Sequence, residues 1–265
     1  MKQICQDLKA EYDALDTIVQ ELSDHQWQTQ TPFFNWSIKD EISHIAYFDR
    51  AAYYSATDHK AFQKDMEEML EGFVDYTQMH NKVNSVGGNM SSGELLSWWR
   101  KNRKLLIDAY TELSPKDRLP WYGPSMSARS SATARLMETW AHGQDIVDAL
   151  GIKRKATERL RHIAHIGVST FQWSFKNRQM SAPENPIYVA LNSPSGDIWK
   201  WGPADAKESV SGDAEDFCLV VTQRRNIEDV SSLQTKGDNA NQWMKIAQAF
   251  AGPPETPPQP GKRLL

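Results

Sequence analysis

The chain has 265 residues, of which 40% are hydrophobic and 24% charged, as is typical of a globular protein with one large domain or two smaller ones. Its formal net charge of −4 argues against a basic nucleic-acid-binding protein, and its apolar runs are shorter than the roughly 18 residues of a membrane-spanning helix. Two cysteines are too few for a disulfide framework, and the N-terminal residues lack the apolar segment of a secretory signal. We therefore expect a cytoplasmic protein without nucleic-acid or membrane partners.

Helical periodicity dominates the first two-thirds of the chain. Apolar residues recur at helical spacing over residues 8–22, which predicts an amphipathic opening helix. Ser37, with acidic residues in the turn that follows it, predicts the start of a second helix. The polar segment 61–80 is predicted to be helical, and a capping box predicts a helix over residues 91–113.

A loop and two helices are predicted next. Residues 114–127 contain several prolines and glycines, which predict a loop. A long helix is predicted over residues 128–150, because Gly151 occupies the position favoured just after a helix end. A further helix is predicted over residues 157–178, before prolines in segment 180–186 disfavour any continuation.

The remainder changes to short, mixed elements. In chain order, these are a hairpin at 187–192 and 197–202, a helix at 214–223, a strand at 233–236 and a helix at 239–250. The Pro-rich end predicts a tail that is either disordered or draped over the surface. The expected fold is mostly α, with a helical bundle over residues 1–180, a small α+β domain over 181–252 and a Pro-rich tail over 253–265.

The segment from Glu138 to His142 carries the strongest indication of chemistry. Residues four apart on a helix lie on one face about 6 Å apart, so this carboxylate and imidazole can converge on one ion. Asp145 lies on the same stripe, where it could orient a ligand. His44, in an apolar stretch of another helix, could face the pair and complete a three-ligand site for a divalent metal. Taken singly, these features are also compatible with a surface ion pair and a buried core histidine.

Other side chains are candidates for substrate binding. Trp121 and Tyr122 lie in an aromatic loop that could cover a pocket, or could simply pack a tight turn onto the bundle. Arg224 and Arg225 could clamp a substrate carboxylate in bidentate fashion, or could end a helix in solvent.

The remaining candidates are assigned structural or surface positions. His162 and His165 are predicted to be structural, and Asp49 is predicted to lie on the surface or beside a ligand. The histidines in polar stretches are predicted to be exposed to solvent; they are His25, His59 and His80.

Four segments resemble one known family. The motif W-S-x-x-D-E-x-x-H-I-A-Y-F-D at 36–49 and the segment R-L-M-E-T-W-A-H-G-Q-D-I-V-D-A-L-G at 135–151 resemble the DinB-like metalloprotein superfamily, in the branch of mycothiol-dependent maleylpyruvate isomerase. The segments V-A-L-N-S-P-S-G-D-I-W-K-W-G-P at 189–203 and S-G-D-A-E-D-F-C-L-V-V-T-Q-R-R at 211–225 are similar to the small second domain of that branch.

The resemblance implies a four-helix bundle followed by a small, sterol-carrier-like α+β domain. It implies a divalent metal, most often zinc, whose ligands match His44, Glu138 and His142. It further implies a low-molecular-weight thiol, activated as thiolate, and an isomerase or transferase acting on a small unsaturated or carboxylate substrate as a monomer or homodimer. It identifies no separate catalytic residue.

Two alternatives stay open at this stage. The chain could be a non-enzymatic protein that binds a small apolar ligand and uses its metal structurally, although structural zinc normally has four protein ligands. Two histidines and one carboxylate are also the ligands of non-haem iron enzymes, which usually have a β-barrel scaffold instead of helices.

Overall fold

The computed structural model describes residues 1–263 and forms two compact units, which divide between Ile152 and Lys153. The last two positions of the predicted tail, 264 and 265, lie outside the described residues. The first unit contains the helices α1 (Lys2–Val19), α2 (Asp24–Trp27), α3 (Ile38–Thr57), α4 (His59–Leu70), α5 (Tyr76–Gly88), α6 (Ser92–Glu112) and α7 (Ala128–Leu150), with the short antiparallel strands β1 (Arg118–Leu119) and β2 (Met126–Ser127).

Four helices of the first unit, α1, α3, α6 and α7, pack on one another as a bundle, and α5 lies against α3. The largest fully buried side chains of this bundle include Trp99, Tyr12 and Tyr110, together with leucines and isoleucines at helical spacing. The predicted mostly α fold with a helical bundle is therefore confirmed. Within the described part of the chain, every helix is too short or too polar to cross a membrane.

Side-chain caps begin the two helices that the sequence marks most clearly. Ser37 accepts a hydrogen bond from the backbone N–H of Asp40, whose carboxylate accepts one from the backbone N–H of Ser37 at 2.9 Å. Ser91 and Glu94 form the same reciprocal pair ahead of α6. Helix α7 ends at Gly151, whose φ of 64° lies in the left-handed region that favours glycine.

Segment 61–80, predicted to be helical, forms parts of two helices, because the chain turns within it. Helix α4 ends at Leu70, Gly72 takes a positive φ of 70°, and Asp75 caps the new helix α5 by accepting a hydrogen bond from Gln78 N–H at 2.7 Å. Helix α5 then continues through Gly87 to Gly88.

Gly87 is a close contact between α5 and α3. A Cβ added there would lie 2.5 Å from Ser43 Oγ and 2.8 Å from Leu95 Cδ1, whereas one added at Gly88 would meet nothing within 4 Å. We expect Gly87→Ala to destabilise the protein by about 1–3 kcal/mol through overpacking. Gly88→Ala is its matched control and should stabilise by up to about 1 kcal/mol through helix propensity. Urea unfolding of both variants tests this contrast, and equal effects would contradict it.

The second unit combines a mixed sheet with short helices. Its elements are α8 (Leu160–Ser169), α9 (Phe171–Lys176), β3 (Ile187–Asn192), β4 (Ile198–Trp201), β5 (Glu208–Asp213), α10 (Ala214–Val221), the 3-10 turn Ile227–Asp229, β6 (Gln234–Lys236) and α11 (Asp238–Ile246). The strand order is β4-β3-β5-β6, with β3 and β5 parallel and the other pairs antiparallel. Val189, Val210 and Phe217 are fully buried in its core.

The second unit begins earlier than the boundary expected at residue 180. Helices α8 and α9, predicted as one helix of the bundle, are two helices separated at Thr170. They pack on α10 and α11, so their apolar faces belong to the core of the second unit. The Pro-rich segment is draped in its described part, since Asn226 and Gln248 donate side-chain hydrogen bonds to carbonyls of Pro258 and Pro253 at 2.8 and 2.9 Å.

Candidate metal centre

Two helices of the bundle bring together the three predicted metal ligands. His44 projects from α3, while Glu138 and His142 project from α7 one turn apart. One donor atom of each residue lies within 4.8 Å of the other two. His142 Nε2 is 3.2 Å from Glu138 Oε2, and the ring centroids of the two histidines are 4.7 Å apart. The structure therefore clusters two imidazoles and a carboxylate drawn from facing helices.

Glu41, an acidic residue in the first turn of α3, orients His142. Glu41 Oε2 lies 2.6 Å from His142 Nδ1, and Thr31 Oγ1 donates to the other oxygen of Glu41 at 2.6 Å. Asp145, predicted for this orienting role, is buried with Oδ2 at 3.8 Å from the same nitrogen. Glu41 precedes His44 by three positions on α3, so helical spacing is the signal that could have identified it.

The carboxylates of Glu41 and Glu138 raise the pKa of His142. Burial lowers the pKa of His142, but its hydrogen bonds with Glu138 and Glu41 outweigh burial and raise the pKa to about 9. Burial raises the pKa of Glu41, the charge of Asp145 raises it further, and the result is about 7. In the protein without metal, this raised pKa favours imidazolium at neutral pH, with Nδ1 facing Glu41 and Nε2 facing Glu138.

Binding of a divalent metal is expected to displace that proton. A ligating imidazole is neutral, so at pH 7.5 the binding of one zinc ion should release about one proton from His142 Nε2. Calorimetric titration with zinc in two buffers of different ionisation enthalpy measures this number. The apparent affinity should rise with pH up to about 9, where His142 loses the proton without metal. Binding heats that do not depend on the buffer would contradict this expectation.

Aromatic rings enclose the cluster on one side. The ring of Trp36 is stacked 6.0 Å from that of His142 and lies 5.1 Å from that of His44, and Phe33 meets His142 edge-on at 5.2 Å. We call Phe33 and Trp36 the aromatic wall. The wall presents apolar ring surface to one side of the cluster.

The loop that carries the aromatic wall has an unusual backbone. Phe34 and Asn35 take positive φ values of 49° and 57°, a conformation that costs free energy for a side chain as large as that of Phe34. The loop is held by Thr31, whose N–H donates to the carbonyl of Trp36 at 2.7 Å. Thr31 also bonds Glu41, so the loop and the orienting carboxylate share one anchor.

His80 lies beside the cluster, so the prediction that it is exposed to solvent is wrong. It is half-buried on α5, with its ring centroid 6.0 Å from that of His44 and 5.4 Å from that of Trp36. Burial lowers the pKa of His80, the charge of His142 lowers it further, and Glu138 acts in the opposite direction. Tertiary packing places this polar stretch against α3.

The ring of Phe48 separates His44 from the aromatic loop that was predicted to cover a pocket. Trp121 and Tyr122 pack on Phe48 at centroid distances of 6.2 and 5.6 Å, and Phe48 packs on His44 at 4.7 Å. Tyr122 OH donates to Asp65 at 3.2 Å, which ties the loop to α4.

The other predicted candidates lie in the second unit. Arg224 and Arg225 follow α10 and are each 4% exposed, so they do not form a solvated helix end. Their Nη1 atoms donate to the backbone carbonyls of Thr222 and Arg224. His162 and His165 lie on α8, and among the described residues neither joins a group that could hold a metal.

The donor set fits zinc. Two ligands of a tetrahedral zinc ion with bonds of about 2.0–2.1 Å lie roughly 3.3 Å apart, close to the 3.2 Å between His142 Nε2 and Glu138 Oε2. A second group, Glu41, His142 and Asp145, is also compact but fully buried. Since its shared nitrogen, Nδ1, already bonds Glu41, the group that contains His44 suits an ion better.

Comparisons with known proteins agree with this architecture. The family model described as the mycothiol maleylpyruvate isomerase N-terminal domain matches residues 8–147, more than half of the chain. A model described as wyosine base formation matches residues 183–235, within the second unit. An uncharacterised protein of Mycobacterium tuberculosis, found in two strains, is 44% identical over 251 residues, which cover 94% of this chain and 95% of that protein.

Two solved structures share the fold. They are the mycothiol-dependent maleylpyruvate isomerase and a mutant of it, and each superposes with a TM-score of 0.58 over 88% of this chain and 92% of the other. Their sequence identities of 15% and 14% support a common fold alone. Together with the family match over the bundle, they confirm the resemblance read from the motifs: the chain belongs to the DinB-like family that carries the mycothiol maleylpyruvate isomerase N-terminal domain.

Proposed function

We propose that this chain is a divalent-metal enzyme in which His44, Glu138 and His142 hold zinc, and that it uses a low-molecular-weight thiol to isomerise or transfer a group on a small unsaturated or carboxylate substrate. The observation that carries the proposal is the convergence of these three side chains from α3 and α7. The name of the structural neighbour, a mycothiol-dependent isomerase, supports the thiol.

The three-ligand set determines the chemistry in this proposal. Three protein ligands leave a coordination position open, as catalytic zinc sites do and structural sites do not. A bound zinc ion would supply Lewis acidity and would favour the deprotonated form of a thiol whose ordinary pKa is about 8.5. Glu41 would accept the Nδ1–H of His142, which would leave the Nε2 lone pair for the ion, and Trp36 and Phe33 present apolar rings beside it.

Substrate recognition is proposed for residues away from the ion. Trp121 and Tyr122 offer aromatic surface next to Phe48, and a rigid aromatic loop suits a small unsaturated molecule. Separately, Arg224 and Arg225 in the second unit are proposed to recognise a carboxylate, because guanidinium groups bind carboxylates in bidentate fashion. Asp145 is proposed to support His142 together with Glu41.

The first experiment is a metal analysis of protein purified without a histidine tag and without added metal. About one zinc ion per chain, lost in His44→Ala, is the expected result, and catalysis is then screened with thiols and unsaturated acids. Iron in place of zinc, with Fe(II)-dependent oxygen consumption, would instead support the non-haem iron alternative. A folded chain that contains no metal and binds none when zinc is added would overturn the proposal.

A further inference from the structure

His80 reaches the candidate site from a third helix, α5. Its imidazole meets Trp36 edge-on at 5.4 Å and His44 at 6.0 Å, with interplanar angles of 88° and 82°. It is therefore next to the ligand cluster, yet it does not belong to the group of donor atoms that lie within 4.8 Å of one another.

Packing of α5 on α3 fixes the position of His80. Val83, one turn later, is 1% exposed, and Gly87 brings the two helices into close contact. Ser43, the neighbour of His44, accepts a hydrogen bond from Gly87 N–H and donates one to the carbonyl of Asn84, both at 3.0 Å. The helix that carries His80 is thus joined to the helix that carries His44 right beside the cluster.

His80 adds a hydrogen-bonding group beside the aromatic wall. Trp36 and Phe33, the aromatic wall, present ring surfaces to the histidines of the cluster. A charged ligand held against apolar rings is costly unless a donor satisfies it. An imidazole N–H is such a donor, and a hydrogen bond to a charged acceptor is stronger than one between neutral groups.

We propose that His80 binds the exchangeable ligand of the site, donating a hydrogen bond to an anionic thiolate sulfur that occupies the position left open by His44, Glu138 and His142. His80 is then a ligand-binding residue and not a fourth metal ligand. This inference rests on the proposed function, because the open position exists only if the three residues hold a metal.

The test uses the full chain loaded with cobalt(II), whose visible absorption reports both metal binding and thiolate binding. The probe is 2-mercaptoethanol, titrated into wild type, His80→Ala and His80→Gln. We expect His80→Ala to bind about one cobalt ion, as wild type does, and to bind the thiol about tenfold more weakly. His80→Gln keeps an N–H donor and should recover part of that loss. His59→Ala, a change at an exposed histidine, is the control and should match wild type.

Each failure has a distinct signature. Loss of cobalt from His80→Ala, with a native circular-dichroism spectrum, would make His80 a metal ligand and overturn the inference. Unchanged thiol affinity in His80→Ala with cobalt retained would overturn it as well. Failure of wild type to bind cobalt would remove the proposed metal site itself, and this inference with it. If His80→Ala does not fold, His80→Gln is compared with wild type instead. The inference is supported if His80→Gln binds as much metal as wild type but binds the thiol more weakly. It is contradicted if the two proteins bind the thiol with equal affinity.

Discussion

Replacing His142 by alanine is expected to remove the metal from the purified protein while the helices stay folded. His142 is the proposed ligand with both ring nitrogens engaged, and without it the cluster keeps only His44 and Glu138, on different helices. At a zinc concentration about 100 times the dissociation constant, zinc should stabilise wild type by about 2.7 kcal/mol and raise its Tm by about 5–10 °C. The variant should show no such rise.

Two further variants make the His142→Ala result specific. His165→Ala, at an exposed position on α8, should keep its metal and its zinc-dependent rise in Tm. Glu41→Gln removes the charge that faces Nδ1 but keeps the side chain's size, so zinc affinity should fall by about 10–100-fold without being lost. Metal analysis, together with thermal melts recorded with and without zinc, tests these expectations for all three variants. Full metal content in a folded His142→Ala protein would contradict the assigned ligands.

The second large effect is expected at the centre of the bundle. Asp49 is fully buried and accepts hydrogen bonds from Tyr12 OH at 2.6 Å, Arg135 Nε at 2.9 Å and Trp99 Nε1 at 3.2 Å. Burial raises the pKa of Asp49 and Arg135 opposes this. Arg135→Met would leave a carboxylate without its cation among four helices. We expect a loss of about 3–5 kcal/mol in the free energy of unfolding near pH 7.

The loss of stability in Arg135→Met should depend on pH. A buried carboxyl whose pKa is raised by folding stabilises at low pH and ceases to do so as pH rises through the folded pKa. The loss in Arg135→Met should therefore be smaller at pH 4 than at pH 7. Lys104→Met is the control, since Lys104 pairs with Asp108 on the exposed surface. This change should lower the free energy of unfolding by less than about 1 kcal/mol. Equal urea midpoints for the two variants at pH 7 would contradict the argument.

Local signals predicted most of the first unit because they act within a few residues. The capping boxes at Ser37 and Ser91 and the left-handed Gly151 define helix ends without help from distant contacts. The break within residues 61–80 was missed for a different reason. Gly72, where the chain turns, and Asp75, which caps α5, are local signals that the prediction did not use.

The second unit was harder to predict because its organisation is non-local. The hairpin of β3 and β4 was predicted, since one short turn joins two β-like runs. Strand β5 was missed, because Val210 is its only fully buried residue and its partners β3 and β6 are distant in sequence. Whether α8 and α9 belong to this unit depends on which other elements bury their apolar faces. The sequence alone does not show which elements these are.

By itself, the sequence determined the helical character of the chain, its family and the three side chains that could meet at a metal. Helical spacing brings Glu138 and His142 to one face, and the family motif adds His44. Only the tertiary structure decided that Glu41 orients His142 across 101 positions of sequence, that Arg135 pairs with Asp49 across 86, and that His80 is half-buried beside the site. Periodicity reports which face of a helix is buried, whereas a partner on another helix depends on how the helices pack.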